Sequence, residues 1–466
     1  MKVSLSWLKE YIRMDLDTAG IAYELTMAGL EVESVEDRFA FLDNQVVVGR
    51  VKSAEKHPNA DKLTCCTVDT GKQTAQVVCG APNVREGLTV ACALPGAVLP
   101  GDFRIKNSKI RGQRSEGMLC SGNELQLNSD TGGIMELDGH LEPGTPLSEA
   151  LGLSDPVFEI DLTPNRPDCL CMIGVAREAG AFLNPPAKVS YPDYELYRAL
   201  TGTFSIFDHT SITIQAPNLC PRYTAGLLEG VKVGPSPSWL KQRLESVGLT
   251  PVNNIVDVTN YVMLETGQPL HAFDFDLLEE HRIVVARLGE ETDFTTLDGK
   301  THRLDPETLM ICDGKKPVAI AGVMGGGNSE ISGNTQRVLL ESACFNPVSI
   351  RKTAKKTGIF SDASHRFERG VDPDGTVNAL KRALYLISEV SEGTPAADFI
   401  DENPVKAEPT RIDLDIDFLN RRLGTRFDIG TVKEILDSVE FSTSIVDNNH
   451  LIVRVPSFRV DVERPE

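Results

Sequence analysis

From Val46 to Leu125 the chain breaks into short β-rich runs, VVVGRV, LTCCTV, AQVVCG, LTVACAL and KIRG, each stopped by turn residues. That many strands within about 80 residues suit a small closed barrel. Helical periodicity brackets the region. Ahead of it, Trp7, Leu8, Tyr11 and Ile12 recur at helical spacing, and a second helical run through Ile21 and Leu25 stops where Gly29 can follow a helix end. Beyond it, TPNRPD at Thr163 to Asp168 reads as a turn before helical GVAREAGAF, and Pro185, Pro186 and Pro192 mark a linker.

A third region, from about 203 to 400, opens on strand-like ITIQAP. Its helix at Ser238 has that serine as the expected N-cap, Leu240, Leu244 and Val247 on one face, and Gly248 past its end. Asp298-Gly299 and Asp313-Gly314 signal hairpins, so the region reads as mixed α+β. A last segment, IDLDIDFLNRRLGTRF through VRVPSFRVDVERPE, opens another small domain. A length of 466 residues fits about three domains of roughly 150. The expected fold is multidomain α+β: an inserted OB-fold β-barrel, then a mixed α+β domain, then the start of a further small α+β domain.

The net charge of -20 argues against a protein that coats nucleic acid nonspecifically, since that affinity comes from cations on phosphates. Local charge differs: RIKNSKIRGQR carries Arg104, Lys106, Lys109, Arg111 and Arg114 with no acid, either a solvated face or a binding strip. Ten cysteines form no C-x-x-C, as expected of free thiols in a reducing cytoplasm. No run of 18 apolar residues and no cleavable leader is present, so neither membrane insertion nor secretion is expected.

Three stretches in the barrel, HPNADKL (His57 to Leu63), VCGAPNV ending at Val84, and SKIRGQRSEGMLCS (Ser108 to Ser121), resemble in order and spacing the tRNA-binding OB domain of several synthetases. Four more widen the match: SLSWLKEYI at the start, LTPNRPDCL (Leu162 to Leu170), IVDVTNYVMLETGQPLHAFD (Ile255 to Asp274) and SDASHRFERGVDP (Ser361 to Pro373). Together they resemble the beta subunit of bacterial phenylalanyl-tRNA synthetases. The resemblance implies a split N-terminal domain (1–40 and 151–200), a tRNA-binding barrel (41–150), an editing domain (201–400) and an incomplete smaller domain (401–466). It further implies an ATP-dependent phenylalanine-tRNA ligase working as an alpha2 beta2 heterotetramer with an alpha subunit on tRNA(Phe). No Walker A or class I synthetase signature occurs, so an ATP site is not expected in this chain.

Carried onto this sequence, the resemblance makes His271 and Glu341 the editing pair, His271 orienting water or the tRNA terminus and Glu341 recognising a tyrosine hydroxyl. Gly325 and Gly326 in GVMGGGNSE, with Ser361 and Ala363 opposite, would line the amino-acid pocket, and Asn254 would offer a hydrogen bond. Read without the resemblance, His271 could equally be a core histidine bonded to Asp274 or Asp276, or join them around a metal. Lys106, Lys109, Arg111 and Arg114 would meet tRNA. Asp461 in VPSFRVDV falls where the family begins a set of carboxylates for magnesium, with Phe458 replacing the usual Trp. Thr250 stands where many relatives carry an arginine, leaving Arg222 or Arg366 to replace it. Two other functions stay open: a non-catalytic tRNA-binding scaffold and a stand-alone trans-editing hydrolase.

Overall fold

The computed structural model describes every residue except 43–44, 128–130, 407 and 466. Its contacts part the chain into two units, 36–156 and the rest, 1–35 with 157–466.

The smaller unit is the barrel. Its five-stranded sheet runs Met118–Leu119, Thr89–Ala93, Val46–Lys56, Thr64–Asp69, Thr74–Cys79. It closes because the backbone N–H of Glu116 donates to the Gln76 carbonyl at 2.7 Å and the Val78 N–H donates to Ser115 Oγ at 3.1 Å. Closure leaves no long edge to pair with another chain.

In the larger unit, Lys2–Ser4 and Glu31–Glu36 flank Val157–Asp161 in one three-stranded sheet, so segments either side of residues 36–156 share a layer. The central sheet runs Leu270–Asp274, Arg337–Cys344, Arg222–Glu229, Thr394–Pro395. Successive strand residues point to opposite faces. Leu228, Ala272, Val338 and Leu340 thus join a core with the helices Asn254–Thr266 and Gly375–Ser391, while Tyr223, Leu227, Phe273, Leu339 and Ala343 join another. The latter packs on a second sheet, Ser211–Ile214, Arg282–Arg287, Leu309–Cys312, Pro317–Ile320, Met324–Gly325.

The N-terminal residues enter the helical core directly. Trp7 stacks on Tyr261 with ring centroids 4.7 Å apart, and the Tyr11 hydroxyl donates to Glu265 at 2.7 Å. Glu265 also takes two 2.9 Å hydrogen bonds from Arg382, which compensates its full burial. Only Leu5–Leu8 of the first helical run is helix, capped by Ser4. Ser238 is not an N-cap: Pro237 holds that position with no side-chain cap. The last segment pairs Arg411–Asp415, His450–Arg454 and Ser442–Ile445 beside two helices around its own core. Among the described residues no helix is long and apolar enough to cross a membrane, and all ten cysteines are free.

Candidate functional site

The strands Leu270–Asp274 and Arg337–Cys344 are antiparallel with His271 directly opposite Glu341. Residues so paired present their side chains on one face. From the neighbouring strand, the Tyr223 hydroxyl donates to Glu341 Oε2 at 3.0 Å, leaving Oε1 without a partner among the described residues. His271 packs edge-on against Phe273 at 4.5 Å and makes no hydrogen bond among the described residues. A Cβ on Gly325 would lie 2.5 Å from His271 Cε1 and 2.8 Å from Nε2, so the bare backbone there is what admits the imidazole. Two residues before Gly325, the Val323 carbonyl accepts from Ser361 Oγ at 2.7 Å, and that hydroxyl also caps the helix Asp362–Phe367. Ala363 packs against the same core. His271, Glu341, Gly325, Ser361 and Ala363 are therefore linked through successive contacts, with Tyr223 and the Val323 carbonyl added.

Burial sets the protonation. It lowers His271 to about 4 and pushes Glu341 up to about 8, the Tyr223 hydrogen bond only partly offsetting the latter. Near neutral pH the pair is an uncharged imidazole beside a carboxylic acid, groups able to donate to and accept from a ligand hydroxyl or a water. The Glu341 shift has a stability consequence. The unfolded chain releases this proton near 4.5 and the folded chain near 8, so the folded state holds more protons between them and loses stability as pH rises through that window. Glu341→Gln, permanently neutral, should match the wild type near pH 4.5 and exceed it near pH 8 by on the order of 3 kcal/mol in urea titrations. Equal stabilities at both pH values would show that Glu341 is ionised in the folded protein.

Other expected residues are occupied elsewhere. Asp274 lies three positions from His271 on the strand, hence on the other face, where it accepts from Thr335 at 2.6 Å, and Asp276 pairs with Arg337. Neither bonds His271, and no metal cluster joins them among the described residues. The amide of buried Asn254 is saturated by the Gly234 N–H and the Lys232 and Val390 carbonyls, which corrects its expected ligand role, and Asn253 is spent as a helix cap. A Cβ on Gly326 would strike Phe294 Cζ and the Val318 carbonyl, so that glycine serves strand packing. Neither arginine can replace the one missing at Thr250: Arg222 is forked onto Asp401, and buried Arg366 is tied to the Leu170 carbonyl.

In the barrel, Ser108–Ile110 and Gln113–Ser115 form a hairpin whose loop residues Arg111 and Gly112 both have positive φ, 49° and 94°, a type I′ turn. Lys106, Lys109, Arg111 and Arg114 are all exposed. Lys109 stands opposite Arg114, a like-charge pair relieved in part by Glu116, which holds Arg114 at 2.6 Å from just past the acid-free run. The HPNADKL loop fixes this hairpin. His57 Nδ1 accepts from the Asn59 N–H at 3.0 Å, so its Nε2 donates to the Ile110 carbonyl at 3.1 Å. Asn83 bonds both backbone groups of Ile134.

Asp461 does not fit a magnesium ligand. Arg459 grips both of its carboxylate oxygens, at 2.9 and 3.0 Å, whereas hard magnesium needs free oxygens and retained waters. Asp168, Cys169 and Glu178 do converge, but Arg166 already reaches all three at 2.9, 3.0 and 2.6 Å. The TPNRPD turn is thus knotted by its own guanidinium.

Three family models match the chain. Residues 46–146 match the tRNA binding domain, 219–392 the B3/4 domain and 412–466 the tRNA synthetase B5 domain. The phenylalanine–tRNA ligase beta subunit of Geobacter sulfurreducens is 48% identical over 464 residues, covering 100% of this chain and 57% of its own length. That of Desulfotalea psychrophila is 48% identical over 472 residues, 100% and 56%. A solved N-terminal fragment of the Pyrococcus horikoshii phenylalanyl-tRNA synthetase beta subunit is 13% identical over 66% of this chain and 83% of that one, with a TM-score of 0.34, too distant to carry an argument.

Proposed function

Along its whole length the chain belongs with the phenylalanine–tRNA ligase beta subunits, of which it spans about 57%, and from that membership we propose that it binds tRNA and clears tRNA(Phe) wrongly charged with tyrosine. In this reading a partner alpha subunit completes the ligase, in an alpha2 beta2 assembly in the cytoplasm, and the assembly attaches phenylalanine to tRNA(Phe) with ATP and magnesium. Neither cofactor is assigned residues here.

A synthetic pocket shaped for phenylalanine rejects tyrosine only about 100-fold, because an added hydroxyl is weakly excluded by an apolar site. A second site that hydrogen-bonds the phenol discriminates far better, since phenylalanine would leave its polar group unpaired. The observation that carries the proposal is Glu341: buried, neutral near pH 7, with one oxygen held by Tyr223 and the other unclaimed beside His271. The phenol bonds Glu341, and the neutral His271 imidazole holds a water against the ester carbonyl.

The test is hydrolysis of Tyr-tRNA(Phe) by this chain, with and without the alpha subunit. His271→Ala and Glu341→Ala should each slow it about tenfold or more while tRNA affinity stays near wild type. Retained binding without any hydrolysis in the wild type would instead favour the scaffold reading. For the barrel, Lys106→Ala, Lys109→Ala and Arg111→Ala together should weaken tRNA binding and reduce the slope of log affinity against log salt by about 2–3. An unchanged slope would return the strip to a solvated face.

A further inference from the structure

The helix Pro347–Thr357 buries Ile350, Thr353 and Ala354 and exposes Arg351, Lys352, Lys355 and Lys356. At 3.6 residues per turn those four share one side, away from the buried face. Lys356 pairs with Asp305 at 2.5 Å, but Arg351, Lys352 and Lys355 have no partner among the described residues. A helix dipole rationalises cations in the last turn and does not rationalise Arg351 and Lys352 in mid-helix. Lys352 shares a cavity with Asp305 and Glu307, yet in a chain of net charge -20 three exposed cations without an ion-pair partner among the described residues are complementary to a polyanion.

An aromatic group follows this cluster along the chain. Phe360, just past the helix, is 77% exposed, the most open of the large apolar side chains. It immediately precedes Ser361, whose hydroxyl grips the Val323 carbonyl two residues from Gly325 and the His271 ring. An aromatic face beside clustered cations suits a single strand, whose bases are free to stack, and not a duplex, whose bases are already stacked.

We propose that this helix face and Phe360 receive the single-stranded 3′ end of tRNA: Arg351, Lys352 and Lys355 hold its phosphates and Phe360 stacks on a base. The terminal ester is thereby brought toward His271 and Glu341. The assignment rests on the hydrolytic reading of His271 and Glu341, and it supplies the cationic hold that neither Arg222 nor Arg366 can give.

The test uses the full chain carrying Lys106→Ala, Lys109→Ala and Arg111→Ala, so that the barrel does not mask the result, and a labelled short single-stranded RNA ending in CCA followed by fluorescence anisotropy. Adding Arg351→Ala, Lys352→Ala and Lys355→Ala should weaken binding at least about tenfold in low salt and reduce the log–log salt slope by about 2. Phe360→Ala should weaken it roughly tenfold with the slope unchanged, and Phe360→Trp should restore it. Wild-type affinity in both the triple and the Phe360→Ala variants overturns the proposal. Binding that follows charge and ignores Phe360 makes the helix a general polyanion surface and also overturns it. Hydrolysis of Tyr-tRNA(Phe) in parallel separates the two readings. RNA binding that depends on this surface, in a protein that hydrolyses nothing, sinks the hydrolytic reading and keeps the surface. Hydrolysis that is indifferent to these variants does the reverse.

Discussion

Gly325→Ala is expected to lower hydrolysis of Tyr-tRNA(Phe) about 100-fold while costing about 1–3 kcal/mol of stability, in the range of ordinary overpacking. Gly325 is absent from the glycines with positive φ, so its backbone accepts an alanine without strain. The added methyl instead meets side chains, His271 Cε1 at 2.5 Å and Leu297 Cδ1 at 3.0 Å, and the imidazole has to swing out of its place opposite Glu341. A displacement of about 1 Å in a positioned group is enough for a loss of this size. Gly326→Ala is the control. Its methyl would lie 2.7 Å from the Val318 carbonyl oxygen, which belongs to a paired strand and cannot swing away, so that variant should lose thermal stability first and activity with it. Deacylation rates and melting curves on the same samples decide. Wild-type hydrolysis by a folded Gly325→Ala protein would remove His271 from the chemistry.

Glu265→Ala should destabilise the larger unit by about 3–5 kcal/mol, the cost of breaking a buried ion pair from one side. Glu265 is fully buried and accepts from Tyr11 and twice from Arg382, while the Trp7 indole N–H donates to the Tyr11 hydroxyl at 3.1 Å. Removing the carboxylate strands a guanidinium and a phenol together. Both tryptophans, Trp7 and Trp239, pack on Tyr261 one helical turn away, so intrinsic fluorescence during urea unfolding reports this core. Glu265→Leu combined with Arg382→Met should recover much of the loss, because no charge is then left buried. A single-variant cost below about 1 kcal/mol would mean that water reaches the pair.

The parts of this fold legible in the sequence are those set by neighbours a few residues apart. Gly29 and Gly248, read as following helix ends, have φ of 91° and 87°, and hairpins do form across Asp298-Gly299 and Asp313-Gly314, through loops longer than two residues in which Gly299 takes a positive φ and Gly314 does not. Four of the barrel runs became strands of the closed sheet for the same reason, while KIRG falls in the separate hairpin, Lys109 and Ile110 in its strand and Arg111 and Gly112 in its turn. Ser238 misled because Pro237, with its fixed φ, already fits the position before a helix and displaces the serine into the first turn. Tyr223 could not be foreseen beside Glu341. The two are 118 positions apart, and only strand order and register bring the phenol to the carboxyl. At Asp461 the partner is local: Arg459, two residues away, holds both carboxylate oxygens. Asn254 failed because an asparagine at a helix start can serve backbone groups from three directions, a use no local pattern reveals.

The shared sheet of Lys2–Ser4, Glu31–Glu36 and Val157–Asp161 also dictates an order of events on the ribosome. Residues 36–156 hold their contacts among themselves and can close as soon as they emerge. The opening segment cannot. Lys2–Ser4 waits for Val157–Asp161, and Trp7 and Tyr11 wait longer, for Tyr261, Glu265 and Arg382. At about 5–20 residues per second of synthesis, the delay between Tyr11 and Glu265 is roughly ten seconds to most of a minute. Throughout it Trp7, Leu8, Tyr11 and Ile12, all buried in the folded chain, lack the surfaces that bury them. Residues 2–12 are made long before the partners that bury them.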